Sequence, residues 1–119
     1  MRSAIPYQTV PGEAVYIAGP MRGLPYNNEQ AFIDAEEELV KRGLLVFNPL
    51  RISRSIVPDE VLVISPAMLE KVMEIEKSLI ENCAYIYLLK GWQDSAGAKA
   101  ELAVAIRNGV KVMLQGECP

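Results

Sequence analysis

Tyr16, Glu76, Ser95 and Glu101 are the side chains of this sequence equipped for acid, base or nucleophilic chemistry, and Arg22 is the cation placed to meet an anion. The chain has no histidine. That removes imidazole acid–base catalysis, Ser–His and Cys–His nucleophile pairs, and the commonest zinc ligand. Any active site here runs on carboxylates, hydroxyls, tyrosines and arginines, and the sequence calls for no metal or cofactor. Glu101 follows Ala98 by three residues and precedes Ala105 by four; Glu76 follows Val72 by four and precedes Leu79 by three. On helices this spacing sets both carboxylates on the flank of an apolar stripe. The plain alternative is a pair of boundary carboxylates reaching outward to water.

Arg22 lies in Gly19-Pro20-Met21-Arg22-Gly23, directly after the apolar run Ala14–Ala18. Glycines on both sides allow backbone N–H groups to approach an anion; otherwise the segment is a tight surface turn. Its glycine spacing matches neither the Walker A loop nor the dinucleotide fingerprint. Ser95-Ala96-Gly97 opens a helix, as a simple N-cap or as an anion site at the helix N-terminus. Tyr16, on a strand, reads as core with its hydroxyl hydrogen-bonded.

These residues need elements to hold them. Ala14–Ala18 reads as a buried strand. Asn27 with Gln30 forms a capping-box pattern, followed by Phe32, Ala35 and Leu39 at helical spacing and Gly43 as the stop. A second apolar run covers Leu44–Phe47, and residues 50–64 read as a long functional loop. Ser65-Pro66 then caps a helix with Leu69, Val72, Leu79 and Ile80 inward. Ala84–Leu89 is the third strand. Ser95 to Asn108 is a helix with Ala98, Leu102, Ala105 and Ile106 inward, and Val110–Leu114 is the fourth strand. Alternating strands and helices, with strands too apolar for a wet face, predict a doubly wound parallel sheet of four to five strands with helices on both faces. Ligands of such sheets bind beyond the strands' carboxyl ends, where the strand order reverses.

Bulk properties agree with one α/β domain over residues 1–119, with 1–13 as an irregular arm. Half of the residues are apolar and 23% are charged, a globular composition. A net charge of −3 argues against nucleic acid as a partner, and the Arg51-Ile52-Ser53-Arg54 cluster suits one phosphate at most. No apolar run approaches a membrane span and no leader pattern opens the chain. Cys83 reads as a small buried hydrophobe and Cys118 as part of the tail, which fits a reducing, cytoplasmic setting.

The strings YIAGPMRGLP, from Tyr16, and LLKGWQDSAGAKAELAVAIRNG, ending at Gly109, resemble the nucleoside 2-deoxyribosyltransferase-like superfamily, in particular its small branch common in phage and prophage genomes. The likeness spans residues 14–114. It implies a flavodoxin-like sheet and cleavage or transfer of the N-glycosidic bond of a (deoxy)nucleoside or its monophosphate through a glutamate nucleophile. It also implies paired subunits that complete each site, as a homodimer or a higher even-numbered oligomer. By the same resemblance Gly19, Arg22 and Gly23 contact the sugar or its 5′-phosphate, and Tyr16 lies near the reacting sugar. Ser95 and Gly97 begin the segment that ends in the nucleophile, Glu101. Three positions depart from the family. Pro20 replaces a serine of the phosphate-binding members, Glu76 stands where an aspartate serves the site, and Ala84 replaces the aspartate that often begins the third strand. Two other readings stay open: a nucleotide-binding module that senses or sequesters without turnover, and an interaction scaffold.

Overall fold

The computed structural model of the chain describes residues 10–21, 24–56 and 65–116. Arg22, Gly23, Cys118, most of the N-terminal arm (1–9) and segment 57–64 of the expected loop lie outside the described residues. Four strands, β1 (Ala14–Ala18), β2 (Leu45–Phe47), β3 (Tyr85–Leu88) and β4 (Lys111–Leu114), form one parallel sheet in the order β2-β1-β3-β4. Four helices connect or flank them: α1 (Glu29–Lys41), α2 (Pro49–Ile56), α3 (Pro66–Glu81) and α4 (Ala96–Arg107). From β1 the chain crosses to β2 on one side and returns to β3 on the other, so the order reverses between β1 and β3. Ala18 pairs with Leu88 at the carboxyl end of that seam, where a ligand crevice is expected.

Alternation along β1 sorts the core onto two faces. Val15 and Ile17 join Phe32, Ala35 and Leu39 of α1, together with Tyr85, Tyr87 and Met113. Tyr16 and Ala18 point the other way, to Ile80 of α3 and to Val104 and Ala105 of α4. Each fully buried large aliphatic or aromatic side chain contributes about 1.5–3 kcal/mol, so these two clusters fix which face of the sheet each helix covers. Tyr16 thereby faces the two helices that carry Glu76 and Glu101.

The helix termini follow from local chemistry. Ser65 Oγ accepts a hydrogen bond from Met68 N at 3.2 Å with Pro66 at the first position of α3, as the sequence indicates. Gly43, at φ +83°, ends α1. Three expectations are corrected. Residues 49–56 are helical rather than loop: Asn48 Oδ1 accepts from Leu50 N at 3.0 Å and Asn48 O accepts from Arg51 N at 3.0 Å, so Asn48-Pro49 starts α2. The Asn27–Gln30 capping box does not form, because Tyr26, Asn27 and Asn28 sit in left-handed backbone at φ 50°, 54° and 61°, and no side chain caps α1. Ile106 is 63% exposed, and Val104 takes the inward place on α4.

Candidate functional site

The seam between β1 and β3 is closed tightly at its carboxyl end. A Cβ on Gly19 would sit 2.7 Å from Leu89 Cβ, so the loop leaving β1 can lie against the one leaving β3 only with glycine at this position. Gly19 thus has a packing role independent of any ligand. Beyond it, Asn28 Nδ2 donates to Pro20 O at 3.0 Å and ties the left-handed turn back onto the loop.

Below the seam, Tyr16 is completely buried, and its hydroxyl donates to Glu101 Oε2 at 2.7 Å. Glu76 acts on the same hydroxyl from α3. One strand and two helices thus converge a phenol and two carboxyls. The helical spacing that set both glutamates on the flank of an apolar stripe has turned them toward the core rather than to water. Oε1 of Glu101 has no hydrogen-bond partner among the described residues, so one oxygen is held while the other is available to an incoming atom.

Burial raises the proton affinity of the whole group. The Glu101 carboxyl is pushed up to about 8, first by loss of solvent and then by the nearby charge of Glu76, against the hydrogen bond from Tyr16, which favours its charged form. Glu76 is raised by burial as well. Tyr16 is raised well above its ordinary value by burial and then by the Glu101 and Glu76 charges. No ion pair among the described residues reaches either glutamate. Desolvated carboxyls without a counterion keep a proton. Among the described residues no cation offsets this, so burial holds the Glu101 carboxyl well above the ordinary carboxylate range.

Ser95 caps α4, its Oγ accepting from Ala98 N at 3.1 Å. Gly97, next along, is exposed, and a Cβ there would approach only Ser95 Oγ, at 3.9 Å, so packing does not demand this glycine. A shallow cavity of about 210 Å³ lies beside this turn, lined by residues 88–93 with Leu114 and Gln115; Tyr16 and Glu101 are not in its lining. The structure thus unites Tyr16, Glu76 and Glu101 and sets Ser95 and Gly97 at the head of the helix carrying Glu101. Arg22 and Gly23 follow the β1 loop outside the described residues.

Sequence reasoning missed one polar cluster. Asn48, 3% exposed, donates from Nδ2 to Glu36 Oε1 at 3.2 Å. Arg51 grips the same carboxylate from Nε at 2.7 Å and from Nη2 at 2.7 Å. The Arg51 bond, with help from Asn48, lowers the proton affinity of Glu36. This cluster binds the start of α2 to α1, and the Asn48-Pro49 pair was its visible signal. Among the described residues no group of three or more Cys, Asp or Glu could hold a metal ion, and no helix is long and apolar enough to cross a membrane.

Comparison with known proteins gives the same architecture. Residues 13–114 match a family described as a domain of unknown function, DUF4406. No curated protein matches the sequence. Among solved structures, the chain is similar to the 2-deoxyribosyltransferase of the psychrotolerant bacterium Bacillus psychrosaccharolyticus, described as a biocatalyst for the synthesis of antiviral and antitumoral nucleosides. The TM-score is 0.67 at 23% identity, over 85% of this chain and 70% of that one. It is also similar to a 2-deoxyribosyltransferase from Leishmania mexicana, with a TM-score of 0.57 at 18% identity, over 86% of this chain and 63% of that one.

Proposed function

The chain belongs to the DUF4406 family, and on that premise we propose that it cleaves or transfers the N-glycosidic bond of a (deoxy)nucleoside or its monophosphate, with Glu101 as the nucleophile. The observation that carries this is the 2.7 Å contact between Tyr16 and Glu101, with the charge of Glu76 also acting on that phenol. In this reading Glu101 Oε1 attacks C1′ as the base departs through an oxocarbenium-like state. The resulting glycosyl ester is then opened by water or by a second base, as in a retaining glycosidase. Glu76 protonates the leaving base or orients the sugar, and Tyr16 aims Glu101. Gly19, Arg22, Gly23, Ser95 and Gly97 frame the sugar or its 5′-phosphate. Loss of Arg22 in Arg22→Ala then weakens monophosphate binding by about 1.5–3 kcal/mol, measured by calorimetry, and equal binding by the variant removes Arg22 from the site.

Support comes from the fold shared with two 2-deoxyribosyltransferases and from the motif string, which also suggests the phage-associated branch. We further propose a homodimer, or a higher even-numbered assembly, working in the cytoplasm. A second reading is favoured by the raised proton affinity of Glu101: a module that binds nucleotides without turnover. Incubation with a panel of deoxynucleosides and monophosphates, followed by chromatography, separates the two. Released base that disappears in Glu101→Gln supports the enzyme. Binding without release, seen as a thermal shift, supports the module.

A further inference from the structure

Tyr26, Asn27 and Asn28 lie consecutively in left-handed backbone, at φ 50°, 54° and 61°. Asparagine tolerates that region because its short side chain can satisfy nearby backbone groups; a bulky ring there is an outlier. A glycine would hold the same turn without strain, yet the position carries a tyrosine and leaves it 88% exposed. The ring therefore gains little from the core in return for its backbone. Strain of this kind persists where the surrounding structure enforces it, and it gathers at ligand clamps. Here the enforcing contacts are visible. Asn27 N donates to Leu24 O at 3.1 Å and Leu24 N to Met21 O at 3.3 Å, while Asn28 Nδ2 donates to Pro20 O at 3.0 Å. Met21 packs on the core, and Pro20 Cγ lies 3.4 Å from where a Cβ on Gly91 would stand. The turn is thus fastened to the loops that leave β1 and β3, at the mouth of the switch-point crevice. Tyr26 also lines a cavity of about 350 Å³ with Pro25, Asn28, Glu29 and Gln30.

Resting on the reading of this crevice as a nucleoside site, we propose that Tyr26 is a binding residue for the base, its ring stacked on the heterocycle of the substrate in that cavity. The ligand follows from the chemistry on offer. An exposed phenol presents a flat π face, and of the three parts of a nucleotide only the base has a face to match it. Sugar and phosphate are recognised by hydrogen bonds and charge instead. The cavity lies at the small end of ligand sites, which run to roughly 300–1,000 Å³, and suits one heterocycle rather than a dinucleotide. Tyrosine brings a large contact area with only two rotatable angles, and a turn already locked by hydrogen bonds adds little ordering cost when ligand arrives. The strained backbone is in this way part of the site: it sets the ring out in solvent before the base is there. Every base has a π face, so the stack adds affinity without choosing among bases.

Calorimetry with three probes tests this: deoxyadenosine, thymidine, and 2-deoxyribose 5-phosphate, which has no base. Tyr26→Ala should weaken both nucleosides by similar factors, about 5- to 150-fold, the span of one base–aromatic stack. Tyr26→Phe should stay within about threefold of the wild type, because the ring and not the hydroxyl makes the contact. All three proteins should bind 2-deoxyribose 5-phosphate alike. Tyr26→Gly removes the ring and relaxes the turn together, so it should lose nucleoside affinity as Tyr26→Ala does, with thermal unfolding no lower than that of the wild type. Equal nucleoside binding by Tyr26→Ala and the wild type overturns the stack. So does loss of one nucleoside alone, which marks a hydrogen-bonding contact, and so does loss of 2-deoxyribose 5-phosphate or of thermal stability, which assigns the tyrosine to the turn itself. Wild-type protein that binds neither nucleoside overturns the stack and the nucleoside reading together. Binding that depends on Tyr26, with no base released from either nucleoside, keeps the stack and sinks the glycosidic reading alone.

Discussion

At Glu101 the physics of burial opposes the ionised form that the proposed nucleophile role needs, and the burial itself is measurable as stability. Folding raises the carboxyl from an ordinary 4.5 to about 8, so between those values the folded chain holds more protons than the unfolded one. Stability contributed by the neutral carboxyl is complete below about 4.5 and is lost as pH rises through about 8. Glu76 shifts in the same direction. Glu36 shifts downward, so its contribution is complete above 4.5 and is lost only in more acidic solution. Cys83, raised to about 11 by burial, titrates beyond the window. Urea unfolding from pH 5 to 8 should therefore show falling stability for the wild type and a much flatter profile for Glu101→Gln; a flat wild-type profile would remove the burial argument. The two substitutions also differ. Glutamine leaves an acceptor for the Tyr16 hydroxyl, whereas Glu101→Ala strands that hydroxyl and should cost about 1–3 kcal/mol.

At the scale of elements, apolar runs and cap-plus-proline signals made the alternating strands and helices readable. Val15 and Ile17 against Tyr16 and Ala18 show why. Strands buried on both faces are apolar throughout, and no arrangement of four such runs with intervening helices is simpler than a parallel sheet. Helix α2 was legible in principle, since Asn48-Pro49 repeats the logic of Ser65-Pro66, but eight residues are too short a run to show a clear period. The left-handed turn was not legible at all. Three consecutive residues at positive φ without a glycine contradict local preference, and the contact between Asn28 and Pro20 that helps hold them is a tertiary fact. Tyr26, 88% exposed, gains little by burial to offset its backbone strain of about 1–2 kcal/mol. Tyr26→Gly should then leave stability unchanged or raise it by up to about 1 kcal/mol, against the loss a glycine normally brings. Thermal unfolding checks this, and a drop beyond about 1 kcal/mol would show that the tyrosine side chain anchors the turn.

For the whole molecule, the site's place in the fold bears on how the protein assembles. The strand order and the pairing of Tyr16 with Glu101 both follow from β1 lying at the centre of the sheet. The direction of Glu76 and Glu101 was visible in their spacing, but not the bond from Tyr16 to Glu101 with Glu76 acting on the same phenol, which depends on how α3 and α4 pack against each other. Those same helices keep large apolar side chains in solvent: Met73 is 55% exposed, Ile75 42% and Ile106 63%. On α3, Met73 lies three residues before Glu76, so it borders the carboxyl site on the same helix flank. A twofold pairing that covered this flank would shield the three-group cluster from water as well as bury Met73. Light scattering at tens of micromolar should accordingly give a dimer or a higher even-numbered species. Met73→Glu should shift it toward monomer, because a charge placed in an apolar contact stays unpaired. The raised Glu101 titration arises from burial within one chain, so the monomeric variant should keep it. A wild-type monomer would reject the pairing, and a dimer insensitive to Met73→Glu would move the contact away from the site.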